Sequence, residues 1–223
     1  MSIPTTNVTL QRRQVVTKIL AARKDELVVT GLGAPTWDVA SVSEHQNNFY
    51  LWGGMGGAVS TGLGLALAQP ERRVLVVTGD GEMLMGLGSL ATVVVQKPKN
   101  FVVIVLDNER YGETGMQQTA TASGVELSLV ARGVGFEIAR TITTENELSE
   151  ATNEIFTARG PMFFDVKVQA SDDPMVLPEK DGLTLKHRFQ AQFLGQKNKS
   201  LSVANSLLGS DENKSETKEK INS

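Results

Sequence analysis

The chain has 223 residues, 40% hydrophobic and 21% charged, with a formal net charge of -3 and no cysteine. That balance is the one of an ordinary soluble globular protein, and the residues before position 196 suffice for one core. The faint acidity without a basic stripe argues against nucleic acid as a partner, and the missing cysteine rules out disulfides, thiolate catalysis and iron–sulfur ligation. No apolar run approaches the ~18 residues that span a bilayer, and residues 1–10 lack the apolar centre of a secretory signal, so a cytoplasmic location without membrane contact is expected.

Apolar spacing through Leu10, Val15, Ile19 and Leu20 predicts a helix over 9–23, leading into a strand at 27–30. A glycine-containing turn at 31–36 ends that strand, 38–45 reads as a short helix or loop, and 49–51 as a second strand. There follow a small-residue helix at 58–68, a strand at 74–78, a helix at 83–96 and a strand at 101–106. Helix 125–134, strand 137–142, helix 145–159 with Thr144 as its N-cap, and strand 162–168 complete the pattern. Residues 171–174 break it, and a small helix over 183–193 puts Leu185, Phe189 and Phe193 on one face, either packing on a partner or docking as a terminal helix. One domain over 1–195 is therefore expected, followed by a disordered tail at 196–223 rich in Lys, Asn, Ser and Glu. Strands alternating with helices of this length predict an α/β fold, a doubly wound and mostly parallel sheet with helices on both faces and ligands at the carboxyl ends of its strands. His45 and His187 stand alone and read as solvated or core side chains.

The chemistry gathers at those strand ends. Gly79-Asp80-Gly81-Glu82 leaves one apolar run, and Asp107-Asn108 leaves the next, with the twenty-six residues 82–107 between Gly81 and Asn108. That length holds a helix and a parallel strand, so the two ends meet. Gly-Asp-Gly offers a carboxylate and exposed backbone N–H groups at a helix mouth, where anionic oxygens are well placed. Mg²⁺ prefers hard oxygens and keeps ligand phosphates in its shell, so one carboxylate, one amide and a backbone carbonyl would complete a diphosphate-bound ion. A lone Gly-Asp-Gly is ordinary turn punctuation; the pairing with Asn108 between two apolar strands is the informative part. Upstream, Trp52-Gly53-Gly54-Met55-Gly56-Gly57 opens the helix at 58–68, which by itself reads as a glycine-rich helix entrance with a core Met.

Together these segments resemble the thiamine-diphosphate enzymes, in which Gly-Asp-Gly is followed after a crossover by an Asn. The resemblance implies thiamine diphosphate and Mg²⁺ as cofactors, with Asp80, the Asn108 side chain and the main-chain carbonyl of Arg110 on the metal. It makes Met55 the wedge that bends the cofactor, Gly53 and Gly54 its neighbours at the pyrimidine, and Gly33 and Thr36 contacts to the diphosphate beside Gly79, Gly81 and Glu82. The run from Asp107 to Thr119, with Tyr111-Gly112, narrows the likeness to the sulfopyruvate decarboxylase beta subunit and the C-terminal part of phosphonopyruvate decarboxylase, over 27–168. Three departures, Glu109-Arg110 for small residues, Glu113 for Ser and Gln118 for Pro, fall where the substrate is chosen. By position Glu113 and Thr114 line the substrate pocket, and Arg110 is the nearest cation for an anionic substrate tail.

The resemblance also implies a missing half. The Glu that activates the pyrimidine comes, in these enzymes, from a separate pyrimidine-binding domain across a subunit interface, and residues 1–26 cannot form one. The expectation is a hetero-oligomer with a pyrimidine-domain (alpha) subunit, decarboxylating a small 2-oxoacid to CO₂ and an aldehyde. A transketolase-like or acyloin-forming subunit and a non-catalytic thiamine-diphosphate binding module are the alternatives.

Overall fold

Apolar runs without a polar alternate settle in the middle of a sheet covered on both faces. The computed structural model describes residues 9–192 apart from Ser43, Trp52 and Asp172, so the expected tail at 196–223 and Phe193 lie outside the described residues. In chain order the elements are α1 (Arg12–Ala21), β1 (Leu27–Thr30), α2 (Ala34–Val42), β2 (Asn48–Tyr50), α3 (Ala58–Ala68) and β3 (Val74–Gly79). Then come α4 (Asp80–Met85), α5 (Ser89–Gln96), β4 (Phe101–Asp107) and a small hairpin of β5 (Arg110–Tyr111) and β6 (Gln117–Gln118). A 3₁₀ turn at Ala120–Ser123 leads to α6 (Leu127–Val134), β7 (Ile138–Ile142), α7 (Glu145–Thr157), β8 (Met162–Lys167) and α8 (Gly182–Gln190).

The sheet is six-stranded in the order β2-β1-β3-β4-β8-β7, and every pairing within it is parallel. Val28, Leu75, Val102, Ile104 and Phe164 point to one face, where α1, α2 and α7 bring Val16, Ile19, Val39, Leu148 and Ile155. Val29, Val76, Val103 and Phe163 point to the other, against Val59 and Leu63 of α3, Leu90 and Val93 of α5, and Leu127 of α6. From β1 the chain steps outward to β2, whereas from β3 it steps the other way to β4. That reversal between β1 and β3 opens a crevice at their carboxyl ends, the usual ligand position in such sheets.

Several boundaries differ from the sequence reading. The helix expected at 83–96 is two helices, α4 and α5, because Gly56 lies against the break: a Cβ at Gly86 would stand 2.3 Å from the Gly56 carbonyl oxygen. The region expected as a turn and then a short helix or loop is one helix, α2, starting at Ala34 with Pro35 in its first turn, where a missing N–H costs nothing. The hairpin at 110–118 had no counterpart in the sequence reading. Thr144 does cap α7, in a full capping box with Glu147. The terminal helix forms with Asp181 as its N-cap, and its buried Leu185 and Phe189 share a face, the Phe189 ring lying 5.2 Å from Phe49.

Candidate functional site

A cavity of about 580 Å³ sits over the switch point, within the usual ligand-pocket range of ~300–1,000 Å³. Asp80, the first residue of α4, lies in its wall and is only 1% exposed. Thr119 donates to its Oδ2 at 2.5 Å, and the Thr121 hydroxyl stands 3.2 Å from the same oxygen. Burial, and then the charge of Asp107, push its pKa up to about 6. Gly79 and Gly81 flank it in the same wall. Gly81 has to be glycine here, since a Cβ would come within 2.4 Å of the Tyr111 ring.

Asn108 enters the cavity from the neighbouring strand end, and its Oδ1 accepts from the Arg110 N–H at 3.0 Å, leaving a lone pair on that oxygen. The hairpin then carries Arg110, Tyr111, Gly112, Glu113 and Thr114 along the cavity. Glu113 reaches over to the β1–α2 turn: a Cβ at Gly33, whose φ is +83°, would stand 2.5 Å from Glu113 Oε1. The Thr114 hydroxyl turns back to Gln117 Oε1 at 2.7 Å.

Gly33 and Met55 also line the cavity, Met55 with 39% exposure. Thr36 does not have the place expected of it. Because α2 begins early, its side chain is buried in the first turn, 2.6 Å from the Thr30 hydroxyl and donating to the Gly31 carbonyl at 2.6 Å, so the hydroxyl is spent inside the fold. Gly53 and Gly54 lie outside the cavity wall, exposed and with open space beside both. Glu82 borders the cavity as a brace: its carboxylate accepts from Thr78 Oγ1 at 2.5 Å and from the Ala58 N–H at 3.2 Å, and burial raises its pKa. It thereby ties the start of α3 to the Gly-Asp-Gly turn.

The residues behind the cavity had no role in the sequence reading. Asp107 is buried; its Oδ2 accepts from Lys167 at 2.6 Å, and its Oδ1 from Thr121 at 2.9 Å and the Glu109 N–H at 3.0 Å. Asp165 is fully buried on β8, neither of its oxygens has a hydrogen-bond partner among the described residues, and Lys167 Nζ stands 3.9 Å away. Two buried carboxylates, Asp107 and Asp165, and the part-exposed Glu109 thus surround one ammonium. A charged pair, Asp165 and Lys167, inside the apolar run at 162–168 was the available signal. On the opposite wall Arg12 pairs with Asp38, and with Asp173 at 3.3 Å. Trp37 lines the same wall and has a buried indole N–H without an acceptor among the described residues.

Fold and site define a doubly wound parallel sheet with a cavity at its switch point, over a Gly-Asp-Gly turn. Residues 31–166 match the family described as thiamine pyrophosphate enzyme, C-terminal TPP binding domain, and the chain belongs to that family. It is similar to the sulfopyruvate decarboxylase subunit beta of Methanothermobacter thermautotrophicus, 36% identical over 186 residues, 83% of this chain and 97% of that one. The subunit of the same name from Methanocaldococcus jannaschii is 40% identical over 151 residues, 65% of this chain and 78% of the relative. The solved thiamine diphosphate-dependent 4-hydroxybenzoylformate decarboxylase of Rhodococcus jostii RHA1 shares the fold, with a TM-score of 0.63 at 19% identity over 78% of this chain and 35% of that one.

Proposed function

We propose that this chain is the diphosphate-binding subunit of a two-subunit decarboxylase, dependent on thiamine diphosphate and Mg²⁺, that converts a small 2-oxoacid of the sulfopyruvate or phosphonopyruvate kind to CO₂ and an aldehyde. The observation that carries this reading is the convergence of Asp80 and Asn108 on one cavity at adjacent strand ends. Among the described residues no group of three or more His, Cys, Asp or Glu side chains is arranged to hold a metal. Mg²⁺ fits the donors that are present, one carboxylate from Asp80, the Asn108 amide oxygen and the Arg110 carbonyl, with diphosphate oxygens filling the shell. The charge of Asp107 beside Asp80 favours a cation at this spot.

When bound, thiamine diphosphate supplies the electron sink for loss of CO₂. The chain's own residues hold and shield it. Gly33, Gly79 and Gly81 would let backbone approach the diphosphate, Met55 would support the cofactor, and Tyr111 and Met116 would border the reacting centre. Glu113 and Thr114 face the substrate. Arg110 offers the charge for an anionic tail, while Glu113 repels one, so the two set the choice of 2-oxoacid between them.

The pyrimidine and its activating Glu are assigned to a separate alpha subunit. Supporting this are the "subunit beta" names of the relatives and the open surroundings of Gly53, Gly54, Met55 and Met116, the two methionines being 39% and 44% exposed. Calorimetric titration with thiamine diphosphate in Mg²⁺ tests the site. Wild type is expected to bind and Asp80→Ala to lose Mg²⁺-dependent binding while keeping its fold, because the change removes a ligand rather than core volume. Unchanged affinity in Asp80→Ala would contradict the assignment.

A further inference from the structure

Thr119 stands at the N-cap of the 3₁₀ turn Ala120–Ser123, yet its side chain makes no capping hydrogen bond. An N-cap Thr ordinarily accepts from the turn's own N–H groups. This one instead donates to Asp80 Oδ2 at 2.5 Å, thirty-nine positions back in the sequence. Thr121, 2.8 Å from the Thr119 hydroxyl, reaches both that oxygen at 3.2 Å and Asp107 Oδ1 at 2.9 Å. Asp107 is in turn held by Lys167. Both threonines address the same carboxylate oxygen of Asp80, so Oδ1 is the oxygen they leave to a metal.

Thr119 also closes the hairpin that walls the cavity. Its N–H donates to the Glu109 carbonyl at 3.1 Å, next to the Arg110–Gln118 pair. The same residue therefore fixes the hairpin through its backbone and the metal-site carboxylate through its side chain. Resting on the metal-diphosphate reading of the site, we propose that Thr119 and Thr121 are positioning residues for Asp80, locking its carboxylate to the 110–118 hairpin so that metal binding and hairpin order rise and fall together. Hydrogen bonds to a ligating carboxylate orient it, and loss of such a partner commonly weakens metal binding ~10–100-fold.

The test uses the full chain and the variants Thr119→Val, which keeps the shape without the hydroxyl, and Thr119→Ser, which keeps the hydroxyl. Thiamine-diphosphate affinity is titrated with and without Mg²⁺, amide exchange is followed at 110–118, and the thermal midpoint is taken without ligands. The expected result is an affinity in Mg²⁺ weakened at least ~10-fold in Thr119→Val, with the hairpin's Mg²⁺-induced protection lost, and restored to within about twofold in Thr119→Ser. Should Thr119→Val not fold, Thr121→Val carries the comparison, and affinity equal to wild type there overturns the proposal. So does a lowered midpoint with unchanged affinity in Thr119→Val, or Thr119→Ser as impaired as Val. A wild-type chain that takes up no cofactor in Mg²⁺, alone or mixed with the pyrimidine-domain subunit, overturns the parent reading and this one with it; wild-type binding with an indifferent Thr119 overturns this one alone.

Discussion

Asp165 shows how one side chain is governed by its surroundings. Burial first, and the charge of Asp107 second, raise its pKa from 3.8 to about 8. A carboxyl raised in the folded state contributes stability that is fully present below its unfolded pKa and is lost as pH rises through the folded one. Wild type is therefore expected to lose stability between about pH 4 and pH 8, and Asp165→Asn, which carries a neutral group of the same shape, to flatten that fall. Urea midpoints across the window check this, and parallel curves for the two proteins would contradict it. Glu109 presents a backbone problem instead. Its φ of +61° lies in the left-handed region, where a side chain costs ~1–2 kcal/mol and glycine costs none. The carboxylate is 41% exposed and 3.7 Å from Lys167, an interaction worth at most ~1 kcal/mol. The backbone effect is the larger, so Glu109→Gly is expected to raise the thermal midpoint by a few degrees, and a lowered midpoint would show that the ion pair outweighs the strain.

Among the elements, the glycine-rich turn before α3 tests most sharply the proposed division between holding the cofactor and using it. Met55→Ala is expected to lower turnover more than cofactor affinity, because the Asp80 and Asn108 anchors remain while the support for the bent cofactor goes. Turnover near wild type in the presence of the partner would make Met55 a packing residue only. The strand ends carrying Asp80 and Asn108 were legible in the sequence because apolar runs stop there abruptly, and a parallel sheet brings such ends together. The hairpin was not. Its strands are two residues long and show no alternation, and the bond that closes it runs from the Thr119 N–H to the Glu109 carbonyl, which leaves no pattern in the sequence. The break between α4 and α5 falls at Gly86 and Gly88, which cap the two helices, with Gly56 packed against it. Thr36 was misplaced because Pro35 reads equally as a turn residue and as the first turn of a helix. Asp165 and Lys167 were visible as charges in an apolar strand, but their meeting with Asp107 requires the β4–β8 register, which pairs positions sixty residues apart.

For the whole molecule, the sheet places the turns that line the cavity at one end, and there the surface stays open. Met55 and Met116 border the cavity while more than a third exposed, and Gly53 and Gly54 face empty space. Among the described residues no helix is long and apolar enough to cross a membrane. A second subunit covering that open surface would exclude water, clamp the pyrimidine and bring in the activating Glu. The decisive measurement is CO₂ release from sulfopyruvate in Mg²⁺ and thiamine diphosphate, first by this chain alone and then after mixing with a pyrimidine-domain subunit. No release by the chain alone and sustained release by the mixture is the expected result. Sustained turnover by the purified single chain would contradict the two-subunit account, because the whole active site would then have to be built from its own residues.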